Sequence, residues 1–267
     1  VRPTEEKVQK IQQLCSSFLS LHKFTIRNLA KLIGTLVATF PGVQYGQLFY
    51  REMEKHKSAS LKLNKGNFEA KISLTAPMVR ELKWWIENIH IAQKRIDQGE
   101  PKFTLTTDAS LLGWGAVFGK ETTGGRWSHH EGDEHINYLE LRAVLFGLQS
   151  LCQSLKNVHL RVRIDNSTAV CYVNAMGGTI STKCNEMAVE IWNWCRLRNV
   201  WLSAAHIPGK NNQVADQASR VFNDRHEWTL DKQVFVDITR FMGVPEIDLF
   251  ASRLNHQVRK YVSWRPD

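Results

Sequence analysis

The spacing of apolar residues changes period near residue 100, and that change constrains the fold more than any other feature. Before it, apolar side chains recur every three or four positions, as Val8, Ile11, Leu14, Phe18 and Leu21, then Leu29, Leu32, Leu36 and Val37. This is the spacing of one face of a helix. Beyond the polar stretch 94–102, Phe103, Leu105 and Thr107 alternate as in a strand. Residues 113–119 and 125–129 read as two more strands closed by Gly-rich or polar turns, an antiparallel meander. A long amphipathic helix over 138–155 carries the stripe Leu141, Val144, Leu148, Leu151 and Leu155. Residues 158–165 then read as a strand, 167–174 and 182–197 as helices, 201–206 as a last strand and 213–221 as a final helix. The order βββαβααβα predicts an α/β domain, a five-stranded mixed sheet flanked by helices.

Residues 1–98 are expected to form a mostly helical region. Thr4 opens the first helix, and Thr25 caps a second that stops before Pro41. A third is expected over 43–55, an irregular stretch or short hairpin over 58–72, and a fourth from Thr75 through Leu82, Trp84, Trp85 and Ile89. The Trp84–Trp85 pair reads as core and connection packing rather than a base-stacking platform. The extension 223–267 holds one amphipathic helix over 232–242, and its Trp228, Phe235 and Phe241 imply partial burial. The chain thus divides into 1–98, 99–222 and 223–267.

Lys and Arg number 35 against 26 Asp and Glu, a net charge of +9. That balance favours a polyanionic partner such as nucleic acid, although a merely basic soluble enzyme fits charge alone equally well. The five cysteines form no CxxC pair and no zinc-spaced cluster. Buried free thiols in a reducing compartment are expected, hence an intracellular setting, cytoplasm or nucleus. No stretch approaches the ~18 apolar residues of a membrane span, so no membrane partner is expected. The start Val-Arg-Pro-Thr, with neither initiator Met nor signal peptide, reads as a fragment or a processed product.

Four carboxylates stand where local structure does not explain all of them. Asp108 closes the first strand, Glu140 lies in the first turn of the long helix, Asp165 ends the fourth strand and Asp216 lies in the final helix. Singly each has an ordinary role. Asp108 and Asp165 suit turns or N-caps, Glu140 suits N3 of a helix capped by Asn137, and Asp216 suits a solvated helix position. Together they read differently. Glu140 shares a face with Val144, Leu148 and Leu151, so it points inward. If the first and fourth strands are neighbours, Asp108 and Asp165 end close together, and the two helices bring Glu140 and Asp216 over the same spot. Clustered carboxylates repel unless cations lie between them. All-oxygen ligation selects Mg²⁺ or Mn²⁺, and two such ions suit in-line phosphodiester displacement. There is no GxSxG, no Cys/His nucleophile, no Walker loop and no GxGxxG.

These residues sit in recognisable motifs: Thr107-Asp108-Ala109-Ser110 with Gly113-Trp114-Gly115-Ala116-Val117; Leu139-Glu140-Leu141-Arg142-Ala143; Asp165-Asn166-Ser167-Thr168-Ala169; and His206-Ile207-Pro208-Gly209-Lys210-Asn211 with Ala215-Asp216-Gln217-Ala218-Ser219-Arg220. In this order they resemble the ribonuclease H domain of LTR-type and tyrosine-recombinase (DIRS-type) retrotransposons, closest to the DIRS-type group. Residues 1–98 resemble the thumb and connection of a reverse transcriptase through Lys31-Leu32-Ile33-Gly34, Phe40-Pro41-Gly42-Val43-Gln44-Tyr45-Gly46 and Leu82-Lys83-Trp84-Trp85. The similarity extends to Asp248-Leu249-Phe250-Ala251-Ser252-Arg253.

The resemblance implies a ribonuclease H-like fold and metal-dependent hydrolysis of the RNA strand of RNA/DNA hybrids, leaving 5′-phosphate and 3′-hydroxyl ends. It implies two Mg²⁺ ions, with Mn²⁺ as substitute, held by Asp108, Glu140, Asp165 and Asp216. Its partners are the hybrid and the fingers and palm of the same polyprotein. The palm's YxDD-type motif is absent, so this chain is not expected to polymerise DNA by itself. Lys210 stands near the place of the mobile histidine of cellular ribonucleases H, as in gypsy-like elements, and His206 reads as structural or loop-positioning. Asn166, Ser167 and Thr168 suit 2′-hydroxyl contacts as well as helix capping, while Lys210 and Arg220 suit phosphates. Residues 182–197 have no dense basic cluster at their start. Two alternatives stand beside this reading. One is a non-catalytic nucleic-acid-binding or structural module of a reverse transcriptase or domesticated element. The other is an integrase-type nuclease, disfavoured because Glu140 precedes the second Asp.

Overall fold

The computed structural model describes residues 1–222, 228–249, 251–263 and 266. Phe250 of the motif at 248–253 lies outside these residues. The chain falls into two compact units, residues 1–100 with 174–189 and residues 101–173 with 190–267.

In the first unit, α1 (Glu5–Ser20) begins where Thr4 accepts the Lys7 N–H, with Glu5 and Glu6 in the first turn. The Phe24–Thr25 strand (β1) leads into α2 (Ile26–Val37), whose N-cap is Thr25. Two 3-10 turns, Phe40–Gly42 and Gly46–Leu48, follow. The third helix, α3, therefore runs over Arg51–Leu63 rather than 43–55. Gly46 lies so close to Trp85 that an added Cβ would meet the ring at 2.8 Å. β2 (Lys71–Ile72) pairs antiparallel with β1, and α4 (Ala76–Asn88) completes the unit. The core joins Ile11, Phe18, Leu29, Leu32, Leu36, Met53, Leu82 and Trp85. Trp85 is fully buried and donates Nε1–H to the Phe49 carbonyl at 2.8 Å, while Trp84 stacks on Phe49. Both tryptophans serve packing.

The second unit is built on one sheet. Its strands are β3 (Phe103–Ala109), β4 (Gly113–Phe118), β5 (Glu121–Arg126), β6 (His159–Ile164) and β7 (Trp201–His206), in the order β5-β4-β3-β6-β7. The first three form an antiparallel meander, and β6 and β7 add in parallel. This is the mixed five-stranded sheet that the order of elements in the sequence predicts. The third strand lies over 121–126 instead of 125–129, and a short helix, α5 (His129–Gly132), follows it. Next come α6 (Ile136–Leu151), α7 (Ser167–Asn174), α8 (Thr182–Leu197) and α9 (Gln213–Arg220).

Successive β3 residues point to opposite sheet faces. α6 lies on one, where Gly147 approaches Leu105, Thr107 and Ala116. α9 lies on the other, so close that a Cβ on Gly115 would stand 2.2 Å from the Ala215 carbonyl oxygen, and one on Gly124 2.6 Å from that of Ala218. Only glycine permits that approach.

In the extension, α10 (Lys232–Met242) matches the sequence reading, and β8 (Asp248–Leu249) pairs with β9 (Tyr261–Val262). The expected burial of aromatic residues fails for Trp228, 84% exposed, and Phe241, 91% exposed. Four cysteines are buried, Cys171 is exposed, and none is disulfide-bonded. Among the described residues, no helix is long and apolar enough to cross a membrane.

Candidate metal centre

Asp108 sits next to last in β3, and Asp165 directly follows β6, its parallel neighbour. The strand pairing therefore delivers both carboxylates to one end of the sheet. Glu140 comes from α6. Asn137 does not cap that helix; His135 does, its Nδ1 accepting the Asn137 N–H at 3.1 Å. Glu140 is thus the fifth residue of α6, beyond reach of a capping box, and its side chain is free for another role. One oxygen from each of Asp108, Glu140 and Asp165 lies within 4.8 Å of the others.

Asp108 is 2% exposed. Its Oδ1 accepts from Asn212 Nδ2 at 3.0 Å, and its Oδ2 accepts from Ser219 Oγ at 2.7 Å. Asn212 also donates to the Thr107 carbonyl at 3.2 Å. Burial raises the Asp108 carboxyl above its ordinary range; the Ser219 hydrogen bond opposes this, and the charges of Asp165 and Asp216 add to it. Glu140 is 3% exposed, and burial together with Asp165 and Asp108 pushes its carboxyl up to about 9. Its Oε2 has no hydrogen-bond partner among the described residues. A buried, unsatisfied carboxylate oxygen beside two more carboxylates is costly in a metal-free protein. The set fits a hard divalent cation, since every donor is an oxygen.

The other predicted residues are placed as follows. Asp216 is outside the group of three; it is half-exposed on α9, ion-paired with Arg220 Nε at 2.7 Å, and near enough to raise the Asp108 pKa. Arg220 is therefore engaged within α9. Asn166 Oδ1 accepts the Ala169 N–H at the start of α7, and its Nδ2 donates to Asn137 Oδ1 at 2.9 Å, tying α7 to α6. Ser167 and Thr168 form the first turn of α7. Lys210 is exposed in the 3-10 turn Gly209–Asn211, which lies against Asp165 through Gly209. His206 Nε2 bonds the Asp165 carbonyl at 3.1 Å, a loop-positioning contact.

Sequence reasoning missed Asn212 and Ser219. Their signal was available: Ser219 stands three residues after Asp216 on α9, and Asn212 four before it, at the helix's N-cap.

Residues 127–221 match the profile of a family described as reverse transcriptase-like. No curated protein matches the chain in sequence. Among solved structures, the chain is similar to ribonuclease H1 from the halophilic archaeon Halobacterium salinarum, at 16% identity over 43% of this chain and 96% of that one, TM-score 0.36. It is similar to the compost metagenomic LC11 ribonuclease H1 in complex with RNA/DNA hybrid, at 20% identity over 44% and 93%, TM-score 0.38. It is also similar to the foamy viral protease-reverse transcriptase in complex with RNA/DNA hybrid, at 11% identity over 86% of this chain and 30% of that one, TM-score 0.28.

Proposed function

We propose that this chain is a metal-dependent endoribonuclease that hydrolyses the RNA strand of RNA/DNA hybrids during retroelement reverse transcription. The reading keeps the division into a thumb- and connection-like region (1–98), a nuclease domain (99–222) and an extension (223–267), of DIRS-type or gypsy-like descent. The observation that carries it is the group Asp108, Glu140 and Asp165, with oxygens within 4.8 Å and Glu140 Oε2 buried without a partner.

Asp108, Glu140 and Asp165 would hold two Mg²⁺ ions, replaceable by Mn²⁺, with Asp216 completing the set beside the attacking water. Bound there, the cations supply positive charge to the phosphate and make water a better nucleophile. Ser219 and Asn212 each engage one oxygen of Asp108 and so fix the plane of its carboxylate. Displacement of the Asp216–Arg220 ion pair frees Asp216 for the site and Arg220 for a phosphate. Asn166 is positioned by its bonds to Asn137 and Ala169. With Ser167 and Thr168 it would face 2′-hydroxyls, and Lys210 would meet the phosphate backbone. The fingers and palm of the same polyprotein would complete the hybrid-binding surface.

The test is cleavage of end-labelled RNA/DNA hybrid, duplex DNA and duplex RNA in Mg²⁺, Mn²⁺ or EDTA, beside Asp108→Asn. Cutting confined to hybrid RNA, dependent on metal and lost in the variant, is expected. Binding without cutting in either metal, with the palm supplied in trans, would refute the nuclease reading in favour of a binding module.

A further inference from the structure

Three carboxyl groups crowded within 4.8 Å make the junction of the elements that carry them costly to keep closed. Something must hold the Glu140 end of α6 against the sheet. Part of that restraint comes from a segment far along the chain, the turn at 251–255.

Ala251, Ser252 and Asn255 are buried, and the turn is closed by Ser252 and Asn255 hydrogen-bonding each other. It presents Arg253. One guanidinium nitrogen donates to both oxygens of Glu131, at 2.9 and 3.2 Å, and the other donates to the Arg126 carbonyl at the end of β5, at 2.9 Å. Glu131 is itself a junction. It accepts the Ser128 N–H at 2.8 Å as the second half of the α5 capping box, and Arg142 Nε at 2.7 Å. Arg142 is two residues beyond Glu140. Phe146, on the same helix, has both arginines near its ring, their guanidinium carbons 4.9 Å (Arg142) and 4.6 Å (Arg253) from its centre. The Glu131 carboxyl is held below its ordinary range; the backbone and both arginines outweigh burial. Arg253 thereby joins β5, α5 and α6 through a nearly buried carboxylate. Thr123 of β5 makes a second anchor by donating to the Pro266 carbonyl.

We infer that the 251–255 turn is a working part of the nuclease unit, and that Arg253 is a positioning residue that holds the Glu140 end of α6 onto the sheet. The inference rests on the reading of Glu140 as a metal ligand. Removing Arg253 would leave a buried carboxylate with one cation instead of two and would take one cation from beside the Phe146 ring.

The test uses the full chain as wild type, Arg253→Ala, Arg253→Lys and, as a control, exposed Arg259→Ala. Amide hydrogen exchange over residues 136–142 and Mn²⁺ affinity by calorimetry are measured together. Arg253→Ala is expected to speed exchange over 136–142 at least tenfold and weaken Mn²⁺ binding three- to tenfold. Arg253→Lys should recover part of both, and Arg259→Ala should match wild type. Faster exchange confined to 251–263, with 136–142 and Mn²⁺ affinity unchanged, would overturn the inference. If Arg253→Ala does not fold, Arg253→Lys decides: exchange over 136–142 equal to wild type overturns it, and faster exchange there supports it. A wild-type chain that neither binds Mn²⁺ nor cuts hybrid would count against the nuclease reading, while the exchange comparison would still judge the clasp.

Discussion

Glu81 offers a quantitative test of the packing in the first unit. It is 6% exposed, and its two oxygens accept the Glu52 and Met53 N–H groups at 2.9 and 3.0 Å, capping α3 from α4. Burial outweighs these bonds and raises its carboxyl from 4.5 to about 7, with the Glu52 charge adding to the rise. A group whose folded pKa is raised stabilises the fold fully below its unfolded pKa, and loses that contribution as pH climbs through the folded value. The window is therefore pH 4.5 to about 7. At about 1.4 kcal/mol per tenfold change in proton affinity, the loss is about 3 kcal/mol. Glu81→Gln keeps the shape and cannot titrate. Its amide mismatches one of the two N–H donors, so it should be less stable than wild type at pH 5 by about 1–2 kcal/mol. By pH 8 that deficit should shrink or reverse. Urea titrations at both pH values, read by hydrogen exchange in α3 and α4, measure the crossing. If the two proteins lose stability in parallel between pH 5 and pH 8, Glu81 does not titrate in this window and the argument fails.

Gly115→Ala should destabilise the second unit by about 2–4 kcal/mol in calorimetry, because its Cβ meets the Ala215 carbonyl oxygen at 2.2 Å and neither backbone can yield cheaply. Gly34→Ala, a helical site with nothing within 4 Å, should instead stabilise by about 0.5–1 kcal/mol in urea unfolding. Ser219→Ala should cost about 1–3 kcal/mol in the same assay by removing the donor to Asp108 Oδ2, and should weaken Mn²⁺ binding. Mn²⁺ at a hundredfold excess over its dissociation constant should raise the unfolding free energy by about 2.7 kcal/mol, and EDTA or Asp108→Asn should abolish the gain.

Much of this was legible where a local rule acts alone. Thr4 and Thr25 mark helix starts because a side-chain oxygen caps a local N–H, and the bounds of β7 and α10 follow from apolar spacing. The failures occur where a distant element decides. Gly124 reads as a turn residue yet lies inside β5, because α9 packs on that strand and excludes a Cβ there. α5 is too short to show a period, although Ser128 and Glu131 spell its capping box. α3 begins late because 3-10 turns intervene, and its Lys-rich half carries no clear apolar stripe. At the site, three carboxylates could be placed from strand adjacency and one inward helix face. Asn212 and Ser219 flank Asp216 at helical spacing, but their bonds to Asp108 cross the fold, and no local pattern announced Arg253.

The Asp108–Ser219 hydrogen bond closes a span of 111 residues, and Asp108–Asn212 one of 104. Local meander pairing can precede both, but β6 must reach β3 in parallel and α9 must seat on Gly115 before the carboxylates meet. Such non-local closures come at an entropic cost that slows folding. The carboxyl groups are therefore expected to come together late, after most of the sheet is formed. A cation that binds there would meet a finished domain and act as a latch, slowing unfolding rather than hastening folding.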